Sequence, residues 1–60
     1  MIEKELVLFY NTKVNKYFYV FSKWFEMEKN YKIPILYSDD FELIRKVNNE
    51  LNKRLQEQSN

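Results

Sequence analysis

Cysteine, histidine and glycine are all missing from this 60-residue chain, and proline occurs once. Without cysteine there is no disulfide, and without cysteine or histidine the usual ligands of a structural zinc are gone. A chain this short buries only about 60% of the surface its unfolded form exposes. Its stability must therefore come from packing or from association. The same two absences weigh against catalysis, because Cys and His supply most groups that attack or titrate near neutral pH. We therefore expect a protein that is not an enzyme. A phosphate-cradling loop needs glycine and is excluded. Any turn position with positive φ falls most cheaply to Asn11, Asn15 or Asn30.

A strong charge of one sign is also missing. Ten Lys plus Arg face nine Asp plus Glu, a net charge of +1, so no global field selects a nucleic acid or an acidic partner. An unbroken apolar run such as Tyr17 to Phe21, which none in the chain exceeds, is far below the roughly 20 residues that span a bilayer. The first five residues are acidic where a signal peptide is basic. Cytoplasmic localisation, with no membrane partner, is the expectation, and the lack of cysteine fits a reducing compartment.

What the chain does have is aromatic residues: five Phe, five Tyr and one Trp, each able to bury roughly 150–250 Å². Residues 5–10 and 16–21 are rich in β-branched and aromatic side chains and are separated by a polar stretch, 11–16. This pattern predicts a β-hairpin. Helical spacing of Ile2, Leu6, Phe9 and Tyr10 is a competing reading of the first segment. For residues 22–30 alternation predicts an extended, bent strand, while a cap at Ser22 would start a short helix. Tyr31, Ile33, Ile35 and Tyr37 alternate as in a half-buried strand, and Pro34, which lacks an N–H, confines that strand to a sheet edge.

The clearest local signal is C-terminal. Ser38 or Asp39 is placed to cap a helix, and Asp39, Asp40 and Glu42 put negative charge at its start. Phe41, Ile44, Val47, Leu51 and Leu55 form one apolar stripe, with Glu42, Arg45, Asn49, Asn52, Lys53 and Gln56 away from it. Glu42–Lys46 and Glu50–Arg54 are spaced for i,i+4 pairs. The prediction is one α+β domain over residues 1–60. A hairpin with a third edge strand (4–37) packs against one amphipathic helix (39–56), with a frayed tail at 57–60. Phe9, Phe18, Val20, Ile33 and Ile35 are the expected sheet core, met by Ile44, Val47 and Leu51.

The adjacent acids Asp39 and Asp40 are the one carboxylate pair that suggests a metal site, but at a helix start they read as capping residues. No cofactor or metal is expected. The informative feature is that the hairpin is apolar on both sides. Leu6, Leu8 and Tyr10 oppose Val7 and Phe9 in the first strand; Tyr17, Tyr19 and Phe21 oppose Phe18 and Val20 in the second. One helix cannot cover two faces, and an uncovered apolar patch marks a binding surface.

The second face is then met by a different protein, by a second copy of the chain, or by residues 22–31 folding back. The expected contact residues are Tyr10, Lys16, Tyr17, Tyr19 and Trp24, chosen because large amphipathic rings dominate interfaces. The expected function is a non-enzymatic protein-interaction module that docks a sheet face or strand edge, such as a small modulator or inhibitor. In composition alone the chain resembles the short accessory reading frames of phages and mobile elements. The alternative is a single-strand nucleic-acid binder using Tyr and Phe stacking, with Lys13, Lys16, Lys23, Lys29 and Lys32 on the backbone.

Overall fold

A computed structural model describes residues 4–58. Three strands and two helices follow in the order β1 (Leu6–Asn11), β2 (Lys16–Phe21), α1 (Ser22–Met27), β3 (Lys32–Ser38) and α2 (Phe41–Gln58). The strands form one antiparallel sheet ordered β2-β1-β3. This is the expected α+β architecture, a hairpin and a third strand followed by a C-terminal helix. Pro34 sits on an edge strand, as its missing N–H requires. Ile44, Val47 and Leu51 of the predicted stripe meet the sheet, and the helix runs to Gln58, while residues 59–60 of the expected frayed tail lie outside the described residues.

The hairpin turn is built from asparagine. Asn11 Oδ1 accepts the N–H groups of Lys13 and Val14, Asn15 N–H donates to Asn11 O, and Asn15 adopts φ 57°. Tyr10 Oη donates to Asn15 Oδ1 at 2.8 Å. The second left-handed residue is Tyr31, with φ 63°, and not Asn30 beside it. For an aromatic residue this conformation costs on the order of 1 kcal/mol. It is held by Thr12, whose N–H donates to Tyr31 O at 2.7 Å.

Residues 22–27 are helical, correcting the extended reading of that segment. The topology explains why. β2 and β3 are parallel with β1 between them, so the chain leaving β2 must travel back along the sheet before β3 can begin. The α1 turn carries Phe25, 2% exposed, onto Val7 and Phe9, and Ser22 ties the corner by donating Oγ–H to Lys4 O and N–H to Glu5 O.

The sheet therefore has two unequal sides. On the α2 side Leu6 and Leu8 enclose Ile44, with Tyr17, Tyr19, Leu36, Val47 and Leu51 half-buried around them. On the α1 side Val7, Phe9 and Phe25 form a separate small core flanked by Val20 and Tyr37. Each fully buried aliphatic is worth about 1.5–3 kcal/mol, and β1 supplies four consecutive buried residues, Leu6 to Phe9, shared between the two cores.

A β-bulge resets β3. Leu8 pairs with Leu36 but Phe9 pairs with Pro34, so Ile35 has no partner. The slip puts Tyr37, Pro34 and Lys32 on the α1 side and Leu36 and Ile33 on the α2 side. Ile33 and Ile35 are exposed, correcting their assignment to the core, and so is Phe18. Phe9 and Ile44 are buried as expected, and Val20, Val47 and Leu51 pack against the cores.

The start of α2 is capped by Asp40, whose Oδ1 accepts Leu43 N–H at 3.1 Å, and not by Ser38 or Asp39. Ser38 Oγ accepts Asp40 N–H, and Asp39 Oδ1 accepts Glu5 N–H at 2.7 Å, tying the helix start to the lead into β1. Glu42 pairs with Arg45 at 2.8 Å rather than with Lys46, while Glu50–Arg54 forms as spaced.

Candidate interaction surface

The structure divides the five expected contact residues between the two sides. Tyr10, Tyr17 and Tyr19 lie on the α2 side. Tyr17 and Tyr19 are half-buried beneath the helix, Tyr19 edge-on to Phe41 with ring centroids 5.8 Å apart. Tyr10 and Tyr17 stack at 5.0 Å and line an open groove of about 960 Å³ against Asn48, Asn52 and Lys53 of α2, while Lys16 and Phe18, from the α1 side of β2, meet its rim around the outer strand. Trp24 lies apart from them on α1 and is 61% exposed.

Asn52 is the residue the hydropathy pattern missed. Tyr17 N–H donates to Asn52 Oδ1 at 2.8 Å, and Asn52 Nδ2 donates to Tyr17 O at 2.9 Å. One carboxamide thus replaces a neighbouring strand at the outer edge of β2, which stops another chain from pairing there. Its signal was positional: Ile44, Asn48 and Asn52 recur every four residues, so the polar pair continues the row that begins in the core. Asn48 Oδ1 is enclosed without a hydrogen-bond partner. The opposite edge, β3, is interrupted by Pro34 and by the bulge. Both edges carry a device against strand addition.

The α1 side is less completely covered. Reading its rows across β2, β1 and β3 gives Val20–Val7–Tyr37, then Phe18–Phe9–Pro34, then Lys16–Asn11–Lys32. Phe25 closes over the first row and reaches Phe9, with ring centroids 6.4 Å from Tyr37 and 5.6 Å from Phe9. Beyond Phe25 the cover ends. Phe18 lies against Phe9 at 6.0 Å but stays 40% exposed. Trp24 and Met27 of α1, with Ile35 at the bulge, are also exposed.

The charges are unevenly arranged. Glu26 accepts a hydrogen bond from Lys29 at 2.8 Å and holds its ammonium above the usual lysine range; Glu42 raises the Arg45 guanidinium in the same way. Both arginines are taken up in pairs on α2. Lys32 Nζ sits 5.4 Å from the centroid of Phe9 and donates to Glu28 O, and Lys13 Nζ lies 5.6 Å from the centroid of Tyr31. Among the described residues Lys13, Lys16 and Lys32 have no carboxylate within ion-pair distance.

Asp39 and Asp40 spend their carboxylate oxygens on Glu5 N–H, Lys4 and Leu43 N–H, a structural use at the helix start. No helix among the described residues is long and apolar enough to cross a membrane. The chain matches no protein-family model, no characterised protein and no solved structure.

Proposed function

We infer that the chain is a non-enzymatic protein-interaction module, a small modulator that docks onto a larger protein through the α1 side of its sheet. The observation that carries this reading is the exposure of Phe18, Trp24, Met27 and Ile35 beside a core that Phe25 only half roofs. Large exposed apolar side chains are the usual mark of an interface, and those of the α2 side, Phe21, Ile33, Phe41 and Leu43, surround a helix that already covers the centre of its face. The tyrosines favoured on sequence grounds support the fold more than the docking, because α2 already rests on them.

The strand edges are weaker docking elements than the face. Asn52 occupies the outer backbone of β2 at Tyr17, and Pro34 removes a donor from the middle of β3. A face-to-face mode of recognition fits better than addition of a strand.

The test compares the wild-type chain with a Trp24→Ala/Met27→Ala double variant, both used as affinity baits in extracts of the source cell, with solution mass measured in parallel. The expected result is a specific protein retained by the wild type and lost with the variant, while far-UV circular dichroism is unchanged. Equal retention by both baits, or a wild type that neither captures a protein nor self-associates, overturns the reading.

A further inference from the structure

The partner's chemistry can be read from the hairpin end of the same surface. We propose that this end, where exposed Phe18 follows Lys16 on β2, Lys32 lies over Phe9 from β3 and Lys13 lies over Tyr31, binds an acidic peptide segment that seats an apolar side chain on Phe18. The proposal rests on the docking reading above and adds the identity of what is docked.

Charge supplies the first argument. Cross-strand pairing sets Lys16 and Lys32 on either side of Asn11 in the row next to Phe18, on the face that α1 leaves open. Elsewhere among the described residues Lys4, Lys29, Arg45 and Arg54 each have a carboxylate partner, and Lys23, Lys46 and Lys53 do not. Here Lys13, Lys16 and Lys32 have none among the described residues, and the Glu28 carboxylate in the adjoining turn accepts Asn30 N–H. Three of the six described lysines without a carboxylate partner thus share the hairpin end of the sheet with an exposed ring. Carboxylates of a partner would complete those lysines, and the phenyl ring gives the contact an apolar centre.

Tyr31 supplies the second. Its backbone is left-handed, a conformation asparagine adopts more readily, yet its ring is 62% exposed and gains little packing. Strain held at an exposed aromatic residue is accounted for if the ring itself makes a contact outside the chain.

The alternatives fit less well. A second copy meeting this patch by two-fold symmetry would set lysines against lysines. A nucleic-acid strand calls for more cations than these, and both arginines are engaged on α2. The aliphatic exposure at Met27 and Ile35 suits apolar side chains rather than bases.

The experiment is fluorescence anisotropy of the full chain with three labelled probes: a short peptide alternating Glu and Asp with Phe and Leu, its Gln and Asn counterpart, and an oligo-dT strand. The acidic peptide should bind, with affinity falling about tenfold or more for the neutral counterpart and for Lys16→Gln/Lys32→Gln. Affinity should also weaken as ionic strength rises from about 0.05 to about 0.3 M. Tyr31→Asn should weaken binding while the melting temperature holds or rises, which separates loss of a contact from loss of the fold. Absence of peptide binding, equal binding of the neutral peptide, or tighter binding of oligo-dT overturns the proposal. If Trp24→Ala/Met27→Ala abolishes capture of a protein whose retention ignores both salt and the lysine variants, the docking reading stands and the acidic partner falls.

Discussion

The two sides of the sheet use the same central strand to different ends. On the α2 side an 18-residue helix lies across Leu6 and Leu8, and its Asn52 reaches past the last strand to close the edge. On the α1 side a six-residue helix contributes one buried ring, Phe25, and leaves Phe18 open. β1 buries residues on both sides equally, so the difference lies in the lids. A helix of five turns can offer a continuous stripe, whereas one of fewer than two turns offers a single anchor. The longer lid covers the centre of its face and leaves Phe21, Ile33, Phe41 and Leu43 exposed around it, while the shorter one leaves Phe18 exposed beside its single anchor.

Truncating each side's anchor would test this contrast most severely. Phe25→Ala should cost about 3–5 kcal/mol and Ile44→Ala about 2–5 kcal/mol, either being enough to unfold much of so small a domain. Chemical denaturation measures both, and a Phe25→Ala loss below about 1 kcal/mol would mean the α1 core is dispensable. Next in size, Asn52→Ala removes both hydrogen bonds to Tyr17. It should lower stability by about 1–2 kcal/mol and add concentration-dependent association in sedimentation runs, because it bares the β2 edge.

Asp40→Ala should cost about 1 kcal/mol through loss of the cap, read as a lower melting temperature at unchanged fold. Smaller and opposite in sign, Tyr31→Gly should raise stability by up to about 1 kcal/mol, relief of the left-handed backbone being partly offset by the freedom glycine adds to the unfolded chain. Smallest of all, Trp24→Ala and Met27→Ala should change stability by no more than about 0.5 kcal/mol each. A larger loss would place them in the core and remove the contrast.

Much of the α2 side was legible in the sequence because it depends on local periodicity. Ile44, Val47 and Leu51 repeat at helical spacing, Asn15 is a natural left-handed residue, and Pro34 announces an edge. The α1 side depended on tertiary facts. Residues 22–27 form a helix because the chain must retrace the sheet and because Phe25 then lands on Val7 and Phe9, neither of which local preference reveals. Ile33 and Ile35 alternate correctly with Tyr37, but one unpaired residue at the bulge shifts the phase, and both become exposed. The surplus of apolar surface could be read from the pattern alone. Which side retained it could not, because Tyr17 and Tyr19 tolerate water or burial equally through their hydroxyl groups.

The Asn52 clamp also bears on how the chain is made. Synthesis runs from the N-terminus, so the aromatic hairpin emerges before the residue that seals its outer backbone can reach it. Until roughly the last turns of α2 have emerged, β2 presents Tyr17 to any neighbouring nascent strand. Chains crowded on one messenger are most at risk of coalescing in that interval, and a single amide on α2 closes it.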